Sequence, residues 1–131
     1  MLPESPAFIW DARDAATKAA SVEQSHDQNE YLGDWVLQAA VERQLEILGE
    51  ALKNLRSADP ETAARIPNVH AIIATRNILV HAYARVDQRR VWEILTDDLR
   101  VLIPVLEGLL GEVDEAQPST GERQTGKAAQ S

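Results

Sequence analysis

Apolar residues recur at helical spacing in four segments of this chain, and polar stretches separate the segments. The clearest pattern is in the second segment, where leucine or valine returns every three or four residues along one side of a long amphipathic helix. Its members are Leu37, Val41, Leu45, Leu48, Leu52 and Leu55. Asp34 stands just before this segment and is a good N-cap, so we expect the helix to begin there.

The first and third segments are predicted to be helices with narrower apolar stripes. The first, from about Ala7 to Gln24, carries mostly alanine on its apolar side, which indicates close approach to a neighbouring helix. Residues 25–33 are rich in helix breakers and separate it from the second helix. The third helix is expected from about Val69, after a connection with two prolines and room for about one helical turn.

A fourth helix is predicted after the turn at residues 85–87, with Asp87 as its N-cap. Its apolar positions are Val91, Trp92, Leu95, Leu99, Leu102, Leu106 and Leu109. Pro104 lies inside this pattern and lacks an N–H group, so we expect a kink near Arg100. Residues 111–131 contain one large aliphatic residue, which predicts a disordered tail.

Composition supports one all-α domain, an antiparallel four-helix bundle over residues 1–110. The chain has 131 residues, 44% of them hydrophobic and only 5% aromatic, and it is rich in helix-forming residues. It has no cysteine, and its three histidines are far apart, so we expect neither a metal nor a cofactor. No long apolar run or secretory signal is present, so a cytoplasmic location without a membrane partner is expected.

Charge is distributed unevenly along the chain. The net charge of -8 argues against broad, non-specific nucleic-acid binding. Residues 65–90, however, hold five arginines and one aspartate, a local balance of +4. This segment is either a solvated basic turn or a localised binding site for an anion.

The positive segment contains the sequence RNILVHAY, residues 76–83, which combines three groups suited to chemistry on phosphate esters. Arg76 is permanently charged and can bind phosphate oxygens with two N–H groups. His81 can give or take a proton near neutral pH. Tyr83 offers a phenol that can donate a hydrogen bond or be modified. The spacing alone is not specific, so the surrounding sequence has to support the assignment.

Helical geometry limits how Arg76 and His81 can act together. Residues five apart on an ideal helix differ by about 140° and about 7.5 Å in rise, so these two do not share a face. Arg76 and Tyr83, seven apart, do share one. The histidine can approach the arginine if the helix ends near His81, or a second subunit can complete the site. We favour a dimer with a helix end near the site.

The octapeptide resembles the R-x4-H-x-Y motif of the HepT-like HEPN ribonucleases. The resemblance covers about residues 8–110. It includes YLGDWVLQAAVERQLEILGEALKNL, whose LEILGEA core is similar to the family's second helix, and the VDQRRVWEILTDDL entry into the last helix. These stretches make the match much more specific than the octapeptide alone.

The resemblance implies a HEPN homodimer with a metal-independent endoribonuclease site in the dimer cleft, and an RNA rather than a DNA substrate. By motif position, Arg76 and His81 are the catalytic pair. Asn77 is a supporting residue that orients His81, binds phosphate or only caps backbone groups.

The other arginines of the positive segment and the motif tyrosine also have expected roles. Arg85, Arg89 and Arg90 are candidate RNA-binding residues. Relatives of this kind act as toxins beside a minimal nucleotidyltransferase antitoxin that transfers AMP to the motif tyrosine, which is Tyr83 here. A phosphodiester at Tyr83 would occupy the phosphate site of Arg76 and obstruct RNA.

Other interpretations of the same residues stay open. The chain could be a non-catalytic HEPN dimerisation or nucleotide-binding module that partners a nucleotidyltransferase, or a purely structural helical adaptor. Glu42, Glu46 and Glu50 form an acidic ridge that either faces water or receives basic groups. The three tryptophans, at positions 10, 35 and 92, are expected in the core or at a dimer interface rather than as base-stacking platforms.

Overall fold

The computed structural model describes residues 1–81 and 86–116, and these residues form an all-α HEPN-type bundle, as the sequence predicted. No strand occurs in either range. The elements are α1 (Ser5–Ser25), α2 (Gln28–Leu32), α3 (Trp35–Ala58), α4 (Pro60–Ala63), α5 (Val69–His81), α6 (Gln88–Glu93), a π-helix (Ile94–Asp98) and α7 (Leu99–Ala116).

Helix α3 is the centre of the bundle. It packs against α1 on one side and α5 on another, and α1 also packs against α7. The predicted leucine stripe of α3 is buried, with Val41, Leu52 and Leu55 fully inaccessible. Burial of such side chains contributes roughly 1.5–3 kcal/mol each, so this stripe is a major source of stability.

The small-residue side of α1 allows the close approach that its sequence predicted. Ala12, Ala15, Ala16 and Ala19 are all buried. Because alanine has only a methyl group, the backbones of α1 and its neighbours can come near without leaving cavities. The neighbouring helices α3 and α7 supply most of the large side chains of this part of the core.

Aspartate caps define several helix starts. Asp34 accepts hydrogen bonds from Val36 N and Leu37 N at 2.9 and 3.2 Å, and Asp87 accepts from the backbone at the start of α6, both as predicted. The expected break at residues 25–33 is partly wrong, because it contains the short helix α2. A reciprocal capping box between Asp27 and Glu30 stabilises that helix.

The fourth predicted helix differs from the expectation in two places. It contains a π-helical segment, Ile94–Asp98, that was not expected. It runs through Pro104, and the kink expected near Arg100 stays a prediction. It also extends six residues past Leu110, where a disordered tail was expected to start. Glu112 forms a bidentate ion pair with Arg65, which ties this end of α7 to the α4–α5 connection. Residues 117–131 lie outside the described residues.

The three tryptophans do not share one environment. Trp92 is half-buried, and its ring centroid lies 5.4 Å from that of Tyr31. Trp10 and Trp35 are 51% and 77% exposed, so neither is a core residue. Across the described helices, none has an apolar stretch long enough to span a bilayer.

Candidate active site

Arg76 is the best-defined residue of the motif, and the packing of α5 on α3 fixes its position. It lies on the third turn of α5, directly opposite Gly49 of α3. A Cβ atom at Gly49 would overlap the Cβ of Arg76 and lie 2.7 Å from its Cγ and 3.4 Å from its Cα. Only glycine therefore allows the two helices to approach this closely, and the approach determines where the arginine side chain starts.

Two neighbours contact the Arg76 guanidinium. Its Nη1 donates a hydrogen bond to Asn77 Oδ1 at 2.9 Å, and its Nη2 lies 2.8 Å from Glu50 Oε1. Each terminal nitrogen carries a second N–H that these contacts do not use. The side chain is 21% exposed, and its Cβ and Cγ face Gly49 at the helix crossing.

The Glu50 carboxylate contacts the Arg76 guanidinium through one oxygen. Oε1 is close enough to Nη2 for an ion pair, yet it is inaccessible to solvent and has no aligned hydrogen-bond donor among the described residues. A buried acceptor without a donor is costly and rare in folded proteins. Because this oxygen contacts the motif arginine, Glu50 is a candidate functional group.

Arg76 and Glu50 lie at the edge of a surface depression of about 290 Å³ between α1, α3 and α5. Side chains of both charges line this depression, because arginines and carboxylates lie in it together. The lining residues are Phe8, Asp11, Arg43, Glu46, Ile47, Glu50, Ala51, Asn54 and Arg76. A phosphate ester can approach Arg76 here, although the carboxylates limit how many anionic groups this depression can accept.

The other motif residues are described only in part. Helix α5 includes both Arg76 and His81, so their backbone positions are separated as on an ideal helix. The His81 side chain lies outside the described residues, as do Tyr83 and Arg85. Asn77 is exposed and contacts Arg76, so its amide supports the arginine directly.

The arginines of the positive segment do not form one uniform surface. Arg90 pairs with Glu93 and Asp98 at 3.1 and 3.2 Å. It lines a second, larger cavity of about 350 Å³ beside the π-helix, which does not include Arg76. Arg89 is exposed near the start of α6. We place the candidate site in the smaller depression, because among the described residues it is lined by Arg76 of the motif and the larger cavity by none of the motif.

A hydrogen-bonded chain anchors the start of α6, just after the motif. The buried Tyr31 hydroxyl donates to Gln88 Oε1 at 2.5 Å, and Gln88 Nε2 donates to Glu42 Oε2 at 2.6 Å. Burial, with a further effect of Glu42, raises the pKa of the Tyr31 phenol above its usual range. The phenol therefore stays protonated and keeps α2, α3 and α6 connected.

The acidic ridge of α3 is therefore not simply solvated, which corrects its commoner interpretation. Glu42 accepts from Gln88, Glu46 pairs with Arg43 at 3.4 Å, and Glu50 pairs with Arg76. The specific roles of Gly49 and Glu50 were not found from the sequence. Both stand in the LEILGEA stretch, but the residue that each contacts is 26 or 27 positions away.

Comparison with known proteins identifies the family to which this helical arrangement and its arginine belong. The HepT-like ribonuclease family matches residues 12–109, which include α3, the motif and most of α7. The chain belongs to the HepT-like ribonuclease family. It is thus a HEPN-type member of a ribonuclease family, and the resemblance seen in the sequence is confirmed.

Individual relatives agree with the family assignment. A protein of Methanocaldococcus jannaschii named "Putative RNase" is 32% identical over 71% of this chain and 84% of its own length. A "Probable ribonuclease HepT" of Thermococcus cleftensis is 38% identical over 60% of this chain and 67% of its own length. No solved structure gives a significant match.

Proposed function

We propose that this HepT-like protein is a metal-independent endoribonuclease in which Arg76 binds the scissile phosphate and His81 transfers a proton. The observation that supports this most directly is the environment of Arg76. Arg76 lines a surface depression, and the close approach of its Cβ and Cγ to Gly49 sets where its side chain starts. A permanent cation placed in this way suits a phosphoryl group that gains negative charge.

The proposed reaction uses a nucleophile that RNA itself supplies. The ribose 2'-oxygen forms a bond to the adjacent phosphorus, and the bond from phosphorus to the 5'-oxygen breaks. A base takes the 2'-hydroxyl proton, and an acid protonates the departing 5'-oxygen, with His81 in one of these roles. The products are a 2',3'-cyclic phosphate and a 5'-hydroxyl end, and DNA, without the 2'-hydroxyl, is not cleaved.

Cleavage assays with matched arginine variants test the assignment. Arg76→Ala and His81→Ala should each lower kcat/KM for RNA by roughly 100-fold or more, because each removes a group that acts in the transition state. Arg100→Ala is the matched control, since Arg100 forms an ion pair with Glu23 at 3.2 Å on another part of the surface. Retention of parental activity by either motif variant would contradict the assignment, and activity should persist in a chelator.

We further infer that the active form is a homodimer whose two copies of α5 jointly complete each site. Two helical positions five residues apart cannot face one phosphate without a helix end or a second subunit. Mixing Arg76→Ala with His81→Ala protein distinguishes these arrangements. Recovered cleavage in the mixture supports a shared site, whereas no recovery in verified mixed dimers indicates that one subunit supplies both residues.

The toxin–antitoxin role and the modification of Tyr83 are also proposals. The chain has two tyrosines, and Tyr31 is fully buried with its hydroxyl bonded to Gln88, so it is inaccessible to a modifying enzyme. A minimal nucleotidyltransferase antitoxin would therefore transfer AMP to Tyr83 and block RNA binding at Arg76. Mass spectrometry after coexpression should show the added mass in the Tyr31→Phe variant and not in Tyr83→Phe. An unmodified Tyr83 in a silenced complex would contradict this.

A further inference from the structure

Glu50 lies in the candidate site, but the proposed chemistry does not explain why its carboxylate contacts Arg76. It belongs to α3, whereas Arg76 belongs to α5, so their contact connects two helices across the Gly49 crossing. Its Oε1 lies 2.8 Å from Arg76 Nη2 and is inaccessible to solvent, although the side chain as a whole is 46% exposed. A carboxylate beside a phosphate-binding cation also repels the phosphate. Its presence therefore needs a compensating role.

Burial of Oε1 limits what this oxygen of Glu50 can contact. A group that accepts a proton from RNA, or a hydrogen bond from a ribose hydroxyl, has to be reachable from the depression. Oε1 is not reachable from solvent, and it lies 2.8 Å from Nη2 of the Arg76 guanidinium. Oε1 therefore acts on the arginine, and the exposure of the Glu50 side chain belongs to its other atoms.

We propose that Glu50 is a positioning residue that fixes the orientation of the Arg76 guanidinium for phosphate binding; this rests on the proposed ribonuclease function. Together with Asn77 on Nη1, it constrains both terminal nitrogens and directs their remaining N–H groups. The long arginine side chain would otherwise sample many rotamers, and a misplaced donor loses much of its effect on the transition state.

This role predicts opposite effects on turnover and on substrate binding. Glu50→Gln keeps the shape of the side chain but removes its negative charge, so the guanidinium is less constrained and less neutralised. We expect kcat to fall roughly tenfold or more, because the donors are misaligned in the transition state. We expect KM for RNA to stay the same or decrease, because one repulsive charge has gone.

The experiment compares steady-state cleavage by the full-length wild-type, Glu50→Gln and Glu50→Asp proteins, with RNA of one defined sequence. Glu23→Gln is the matched control, because Glu23 is also a partly buried glutamate paired with an arginine at 3.2 Å, but outside this depression. Glu50→Asp retains the charge and should keep the KM of the wild type with an intermediate kcat. Circular dichroism and thermal melts establish that each variant is folded.

The outcomes separate this inference from the proposed function. Loss of cleavage in Arg76→Ala together with a selective fall of kcat in Glu50→Gln supports both. If cleavage depends on Arg76 but kcat is unchanged or increased in Glu50→Gln, the positioning role alone is overturned. The same conclusion follows if kcat falls as much in the Glu23→Gln control as in Glu50→Gln. If Glu50→Gln is unfolded, Glu50→Asp provides the test. A kcat equal to that of the wild type overturns the positioning role, and a lower kcat with unchanged KM supports it. Wild-type protein whose RNA cleavage does not depend on Arg76 overturns the ribonuclease proposal and this role together.

Discussion

Two carboxylates of this protein with buried oxygens differ in how completely those oxygens are hydrogen-bonded. Asp59, at the α3–α4 junction, accepts from Leu2 N, Ser5 Oγ, and the hydroxyl and backbone N–H of Thr62, at 2.6–3.2 Å. Glu50, earlier on α3, has a buried oxygen with no aligned donor among the described residues. The four hydrogen bonds of Asp59 stabilise the fold, whereas the buried Glu50 oxygen has its ion pair with Arg76 and belongs to the candidate site.

The Asp59 cluster joins parts of the chain that are distant in sequence. It connects the N-terminal residues before and at the start of α1 with the start of α4. Hydrogen bonds hold the pKa of the Asp59 carboxyl well below its usual range, that from the Thr62 hydroxyl most strongly and those from Leu2 N and Ser5 next. The charged form is thus favoured in the folded state, which is a statement about stability rather than catalysis.

The largest expected effect on stability is that of Asp59→Asn. This substitution removes the charge that four donors stabilise, and the amide brings donors of its own to an acceptor site. We expect Tm to fall further than in Gly49→Ala or Tyr31→Phe, with cleavage by the folded fraction retained. Asp97→Asn, which alters an exposed carboxylate, is the control. Loss of cleavage at unchanged Tm would break the contrast with Glu50.

The dependence of thermal stability on acidic pH should also report the contribution of the Asp59 carboxylate. The folded state lowers the pKa of the Asp59 carboxyl, so the charged carboxylate stabilises the folded protein. This stabilisation is fully present above the unfolded-state pKa of about 3.9 and is lost as the pH falls from there through the lower folded-state pKa. The Tm of the wild type should therefore drop more steeply below about pH 4 than that of Asp59→Asn. Parallel pH dependences of the two proteins would show that Asp59 does not carry this linkage.

Gly49→Ala should have a smaller effect on stability but a direct effect on the site. The added methyl group overlaps the Cβ of Arg76, so α3 and α5 have to separate, at a cost of about 1–3 kcal/mol. Cleavage should decrease as well. The control is Gly108→Ala in α7, where no atom lies within 4 Å and the gain in helix propensity is about 0.5–1 kcal/mol. Equal effects of the two variants would argue against a required close crossing.

Tyr31→Phe should have the smallest effect, about 1 kcal/mol in the free energy of unfolding. It removes the hydroxyl that donates to Gln88 but keeps the ring beside Trp92. Because the chain of hydrogen bonds anchors α6, amide exchange at the start of α6 should increase more than exchange in α1. Unchanged exchange there would show that the Asp87 cap suffices to hold this helix start.

Much of the fold could be predicted because its determinants are local. The leucine spacing of α3 and the aspartate caps at Asp34 and Asp87 each act within a few residues. The Asp27–Glu30 capping box was also visible in the sequence, although its short helix was missed. The π-helix could not be predicted, because its hydrogen-bond register depends on packing against other helices.

The candidate site also has parts that local sequence predicts and parts that depend on packing between helices. Arg76 follows from the motif, and the assignment of the chain to its family follows from the longer stretches around it. The contact between Glu50 and Arg76 depends on the crossing of α3 and α5, which no spacing along either helix encodes. In the sequence, Glu50 therefore looks like one member of a surface ridge, and only the helix crossing reveals its partner.

The π-helix at Ile94–Asp98 has a consequence for insertions and deletions in the last third of the chain. A π-turn accommodates one more residue than an α-turn, so it advances the chain without the matching rotation. Removing one residue there would let the segment wind as a regular α-helix and keep the downstream phase, whereas regular winding with every residue retained would rotate everything downstream by about 100°. In the second case Leu102, Leu106 and Leu109 would leave the interior, so the π-turn sets the angular phase of the helix that follows.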